Sequence, residues 1–261
     1  MPITLLAPLC GFSGGFILGL TGGGGAILAV PLLVYVLGFA VKQGVALSLA
    51  TVAVTALFGA ITQSRSGQVL WSRGIAIGIG GMFGVPAGKA LGEQLSDRTT
   101  MLIFAALMGY IGGKMILSRR GPRAPRWFQC SPPATDELLS KGCLYRLLTI
   151  GAATGVLAGL CGVGGGFLIV PALIAVAQLE VAQAMATSLV AISIISISGI
   201  ISHRAILSSL PAGIPILFLS GSLLGMVVGI RVKRSIPPRL LQIMFGCLVL
   251  IVASFVLFFN W

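Results

Sequence analysis

The sequence predicts an all-α polytopic membrane protein: two inverted repeats of five helices each, about ten transmembrane segments, some of them short or broken at glycine clusters. Three observations predict it. Only 8% of the 261 residues are charged while 57% are hydrophobic, whereas soluble domains carry about 25% charged residues. Apolar runs follow one another along the chain, most of them near the roughly 20 residues a helix needs to cross the hydrocarbon. The two halves of the chain also match each other at a fixed offset.

The apolar segments fall near residues 3–20, 25–40, 44–63, 73–92, 99–118, 144–160, 165–179, 184–203, 210–231 and 238–260. The first, second, sixth and seventh are short and abut glycine clusters, so they read as broken or re-entrant helices. Met1–Gly15 has no basic leader region, so a cleaved signal peptide is not expected. Leu9-Cys10-Gly11 resembles a lipoprotein cleavage site, but Leu9 is too large for the position before the cysteine. The five cysteines (10, 130, 143, 161 and 247) contain no CxxC, and the chain has one histidine. No metal site and no cofactor are expected from such a ligand set.

Five acidic residues (Glu93, Asp97, Asp136, Glu137, Glu180) face seventeen basic ones, for a net charge of +12. In a soluble domain that excess would suggest nucleic acid. Here the basic residues flank apolar runs and read as orientation signals and contacts to anionic lipid, so the expected partner is membrane lipid and not nucleic acid. With ten crossings, one side receives Arg65, Arg73, Lys114, Arg119, Arg120, Arg123, Arg126, Lys141, Arg146, Arg231, Lys233, Arg234 and Arg239; the other receives Lys42, Lys89, Arg98 and Arg204. This asymmetry places both termini outside and the 119–143 stretch in the cytoplasm. That stretch is the longest polar run. It divides the chain into a first transmembrane repeat (1–118), a cytoplasmic linker (119–143) and a second repeat (144–261).

At an offset of 140 residues Gly15, Gly19, Leu20, Gly22, Gly24, Gly25, Leu28, Val30 and Pro31 fall on Gly155, Gly159, Leu160, Gly162, Gly164, Gly165, Leu168, Val170 and Pro171. The register continues without a gap through Gln43/Gln183, Ala46/Ala186, Ser48/Ser188, Leu49/Leu189 and Gly59/Gly199. One inserted residue later, Gly84, Gly88 and Arg98 fall on Gly225, Gly229 and Arg239. An odd number of crossings per repeat makes the second half enter from the opposite side, an arrangement found in secondary transporters, with substrate held near the midplane between repeats.

Consecutive glycines at 22–25 and 164–166 disfavour helix, each by about 1 kcal/mol relative to alanine. Unwound backbone at membrane depth is tolerated only inside protein or beside a water-filled cavity. Helices are expected to restart near Ala26 and Phe167, where free N–H groups and the positive dipole end favour an anion. Thr21, Gly22, Gly23, Gly24, Gly25, Cys161, Gly162, Gly164, Gly165 and Gly166 are therefore candidate substrate contacts. Gln43, Ser48, Thr51, Gln183, Thr187 and Ser188, near the starts of the third and eighth segments, add hydroxyl and amide donors. Arg65, His203 and Arg204, at the ends of those segments, add charge and a titratable group. Gly15/Gly19, Gly155/Gly159, Gly84/Gly88 and Gly225/Gly229 have the four-residue spacing of close helix packing; a homodimer through such small-residue faces is compatible with the sequence.

The paired pattern G-x3-G-x2-G-x-GG-x5-P, together with Gln183-Ala184-Met185-Ala186-Thr187-Ser188-Leu189, resembles the TauE/SafE family of sulfite and organosulfonate exporters. The resemblance covers nearly all of the chain except the 119–143 linker. It implies transport, outward in the family's sense, of a small sulfur-containing anion across a bacterial inner membrane, and no enzymatic activity. In the first half Leu47 stands where the second has Thr187. Two other classes are open. An anion channel of the same architecture has the same sequence features. An intramembrane serine protease would use Gly11-Phe12-Ser13-Gly14 with His203 as base, and leaves the repeat unexplained.

Overall fold

The computed structural model describes residues 3–23, 25–92, 94, 97–117, 141–161, 166–202, 204, 213–233 and 235–259. Among these every regular element is helical: α1 (Ile3–Thr21), α2 (Gly25–Pro31), which continues as a π-helical turn over Leu32–Val36, α3 (Val41–Ser64), α4 (Trp71–Gly92), α5 (Asp97–Leu117), α6 (Lys141–Cys161), α7 (Gly166–Val176), α8 (Val181–Ser202), α9 (Gly213–Lys233) and α10 (Pro238–Phe259). Five described segments are long and apolar enough to cross a membrane: Lys42–Ser64, Trp71–Gly92, Lys141–Leu160, Val181–Ser202 and Gly213–Lys233. The sixth segment is longer than the sequence suggests, because α6 extends back through Lys141 and Gly142 to a full 21 residues. Of the four short segments, α2 and α7 are the ones far below spanning length.

The helix after each break ends in the same way. Phe39 N–H reaches the Leu33 carbonyl, and 140 residues on Leu179 N–H reaches the Leu173 carbonyl. The residue before each donor, Gly38 or Gln178, is left-handed, the usual conformation just past a helix end. Pro31 and Pro171 each withdraw a donor from these short helices.

The helices α3 and α8 form the centre. Burial reaches 72% over the apolar window of α3 and 78% over that of α8, against 28% for α6. The outer faces carry bare apolar side chains such as Phe83, Leu117, Leu224 and Ile251, the surface that hydrocarbon solvates. Helix α1 packs along α9 and α4 along α6, while α3 meets α8 and α5 meets α10.

Both long pairings run through glycine. A Cβ on Gly11, Gly15 or Gly19 would collide with the backbone of Phe218, Ser222 or Met226, and one on Gly221, Gly225 or Gly229 with that of Pro8, Phe12 or Phe16. The α4–α6 crossing repeats this: Gly151, Gly155 and Gly159 lie against Ile77, Gly81 and Val85, and Gly80, Gly84 and Gly88 against Leu148, Ala152 and Val156. The four-residue spacing thus brings backbones together directly, which in lipid supplies packing that a hydrophobic effect between helices cannot.

Candidate functional site

The first break is built around Gly22. Its φ is +71°, a left-handed conformation that costs a residue with a Cβ roughly 1–2 kcal/mol. Its N–H closes the last turn of α1 on the Leu18 carbonyl at 2.8 Å. Its carbonyl accepts a hydrogen bond from Ser188 Oγ at 2.7 Å, and the same hydroxyl lies 2.9 Å from the Met185 carbonyl one turn back in α8. A Cβ on Gly22 would strike the Met185 backbone. The break of the first half is therefore seated on α8 of the second.

The chain then reverses. A Cβ on Gly25 would run into the Gly14 carbonyl and the Leu18 backbone, so α2 starts folded back on α1. Gly166, the first residue of α7, faces the Gly23 carbonyl, which would lie 3.1 Å from a Cβ built there. The two helix restarts, Gly25 and Gly166, come one residue earlier than the sequence suggests, and the second restart meets the first break across the boundary between halves.

Thr21, which precedes Gly22, is buried and donates to the Ile17 carbonyl at 2.7 Å. Thr187 is fully buried and its Oγ1 accepts the Leu70 N–H at 3.1 Å. Ser48, the counterpart of Ser188, lies away from this junction, beside Leu49, which packs on Gly199 toward the far end of α8; it is buried and donates to the Val45 carbonyl at 2.8 Å. Thr51 is buried and its carbonyl accepts the Thr55 hydroxyl. Ser48, Thr51, Thr187 and Ser188 sit deeper in their helices than their segments suggest, because α3 and α8 begin at Val41 and Val181. For the same reason Gln43 and Gln183 stand inside the first turn and not before it. Cys161 is the last residue of α6. Gly24, Gly162, Gly164, Gly165 and His203 lie outside the described residues.

Neither arginine is buried at this junction. Arg65 follows α3 and Arg204 follows α8, and both are exposed. Sixteen residues of helical rise put Arg204 about 24 Å along the axis from Ser188. Other basic side chains are buried where the sequence places them in loops at the lipid surface. Arg73 donates to the Ala177 carbonyl at 2.7 Å, and Lys233 donates to Gln63 Oε1 at 2.8 Å and the Ala182 carbonyl at 3.3 Å. The sequence signal for them is slight: a cation within one turn of an apolar helix end.

A family model described as "Sulfite exporter TauE/SafE" matches residues 7–256. The chain belongs to the TauE/SafE family. This is a membrane transporter family, and the chain is a multi-pass membrane protein. Two proteins of Xylella fastidiosa described as "Probable membrane transporter protein" match over 95% of this chain and 92% of their own length. Identity is 30% in strain Temecula1 and 31% in strain 9a5c. A Haemophilus influenzae protein of the same description is 28% identical over 66% of this chain and 62% of its own. No solved structure matches. The TauE/SafE glycine pattern coincides here with the break at Gly22–Gly23 and its contact with α7.

Proposed function

We propose that this TauE/SafE protein exports a small sulfur-containing anion, sulfite or an organosulfonate, held between its two glycine breaks. The observation that carries this reading is the meeting of Gly23 with Gly166. It sets unwound backbone beside the start of α7, where free N–H groups favour an anion without any charged side chain. The substrate class rests on the family's printed description. The repeats are inverted in this reading, and the exchange of partners between α1–α9 and α6–α4 and the matching caps at Gly38 and Gln178 support it. The test is thermal stabilisation of the purified protein by sulfite, thiosulfate, sulfate, sulfoacetate, taurine and carboxylate analogues. An anion at 100 times its dissociation constant stabilises by about 2.7 kcal/mol. Sulfite or a sulfonate should stabilise selectively, and Gly166→Val should remove both that selectivity and flux into vesicles. An equal response to carboxylates, or selective binding and flux unchanged in Gly166→Val, would refute the assignment.

In the proposed orientation the 119–143 side is cytoplasmic, in the inner membrane. Among the described residues, hydrogen bonds between helix ends join ends assigned to one side: Arg73 to Ala177, Gln242 to Met115 and Lys233 to Ala182 on the basic side, Lys89 to Ser202 on the other. One feature points the other way, since Cys143 is disulfide-bonded and disulfides persist in oxidising compartments. Thirteen basic residues against four outweigh it as a topology signal. In a cysteine-free background, Lys42→Cys should react with an impermeant maleimide in intact cells and Ser66→Cys only after lysis. The reverse pattern would invert the assignment.

A further inference from the structure

At the ends of α3, α8 and α9 lies a cavity of about 330 Å³, lined by Gln63, Ser66, Gln68, Ala182, Ile230 and Lys233 among others. Lys233 is 7% exposed and Gln63 3%. The ammonium group has three protons and two acceptors, Gln63 Oε1 and the Ala182 carbonyl, both neutral. Among the described residues no carboxylate pairs with it. Glu180, two residues before Ala182, is exposed. Gln63 turns its Oε1 toward the lysine, which leaves Nε2 buried with no hydrogen-bond partner.

A buried cation without a counter-ion is costly, and so is a buried N–H without an acceptor. One bound group answers both deficits if it is negative and carries more than one acceptor oxygen. An oxygen on Lys233 Nζ and a second on Gln63 Nε2 describe a compact oxyanion. Chloride offers one centre and answers only one of the two deficits. We infer that the Gln63–Lys233 cavity is an oxyanion-binding site, for a sulfate- or phosphate-like group, distinct from the glycine breaks. The group is either free in solution or the phosphate of an anionic lipid, since the cavity lies at the helix ends where headgroups lie. Ala182 stands six residues before Ser188 on α8, about 9 Å of helical rise from the Gly22 junction. If the break site carries the transported anion, as proposed above, this cavity is its antechamber on the basic side; the binding itself does not rest on that reading.

The experiment measures melting temperature in delipidated detergent against inorganic sulfate and phosphate, with chloride at matched ionic strength, and in nanodiscs of phosphatidylglycerol against phosphatidylcholine. Three variants accompany the wild type. Lys233→Met should weaken the apparent affinity at least tenfold. Gln63→Glu places a carboxylate beside the ammonium, so it should raise the melting temperature without ligand and abolish the response. Gly166→Val, which tests the break, should keep it. Stabilisation by sulfate or phosphate in detergent identifies a free anion; stabilisation by phosphatidylglycerol alone identifies a lipid headgroup; either supports the site. No effect beyond the chloride and phosphatidylcholine controls overturns it. So does an effect that persists undiminished in both Lys233→Met and Gln63→Glu. If Lys233→Met does not fold, Gln63→Glu decides alone.

Discussion

Gly15→Leu and Gly155→Leu should each abolish the accumulation of folded protein in the membrane. The reason is geometric. At both positions the Cβ itself collides with the backbone of the facing helix, at Ser222 and Gly81. No rotamer relieves a clash at Cβ, so the helices must separate along their whole crossing. Overpacking in ordinary cores costs about 1–3 kcal/mol because side chains give way. Here backbone would have to move, and the loss should exceed that range. The matched control is Gly109→Ala in α5, where an added Cβ meets nothing within 4 Å; helix propensity should then stabilise by about 1 kcal/mol. Fluorescence-detected size exclusion and melting temperature read both. A monodisperse Gly15→Leu that melts like the wild type would mean that α1 and α9 do not cross as closely as described.

Ser188→Ala should fold, melt lower and transport at least tenfold more slowly. The substitution removes the donor that holds the Gly22 carbonyl. A buried carbonyl left without a partner costs about 1–3 kcal/mol, and the break loses its anchor on α8. Gly22→Ala attacks the same junction from the other side, through its left-handed φ and the contact with Met185, and should be more severe. Ser193→Ala serves as comparison: that hydroxyl is buried in the same helix and bonds only the Val190 carbonyl one turn back. Flux into proteoliposomes and melting temperature should be near wild type for Ser193→Ala. If Ser188→Ala matches it on both measures, the tie to Gly22 has no functional weight.

Much of the architecture was legible because it is written in local patterns. Apolar length marked the helices to within a few residues; α3, α6 and α8 each begin three residues before their apolar runs, in α6 because Lys141 and Gly142 read as linker. The offset of 140 residues located the first break and the restart of α7 at Gly166, and the spacing of Gly15/Gly19 and Gly84/Gly88 announced close packing. Which helix receives each glycine face was not legible, because four-residue spacing describes one surface and says nothing of its partner. Ser188 read as a donor to a ligand; its tie to Gly22 spans 166 residues and has no local signature. Lys233 read as a charge at a helix end. Its burial against Gln63 depends on three helix ends meeting, which a linear charge count does not register.

The glycine crossings bear on how the molecule can move. Each one bolts a helix of the first half to a helix of the second: α1 to α9, and α6 to α4. The halves of the chain are thus interlaced like the fingers of two hands, and neither can swing free of the other as a block. Any alternation of access must instead slide one bolted pair past the other, along the α3–α8 seam, or flex the hairpins that α2 and α7 form at the breaks. If access alternates, the moving unit is then a pair of helices drawn from both halves, and a rigid cross-link between α1 and α9 should leave transport working where one between α2 and α7 stops it.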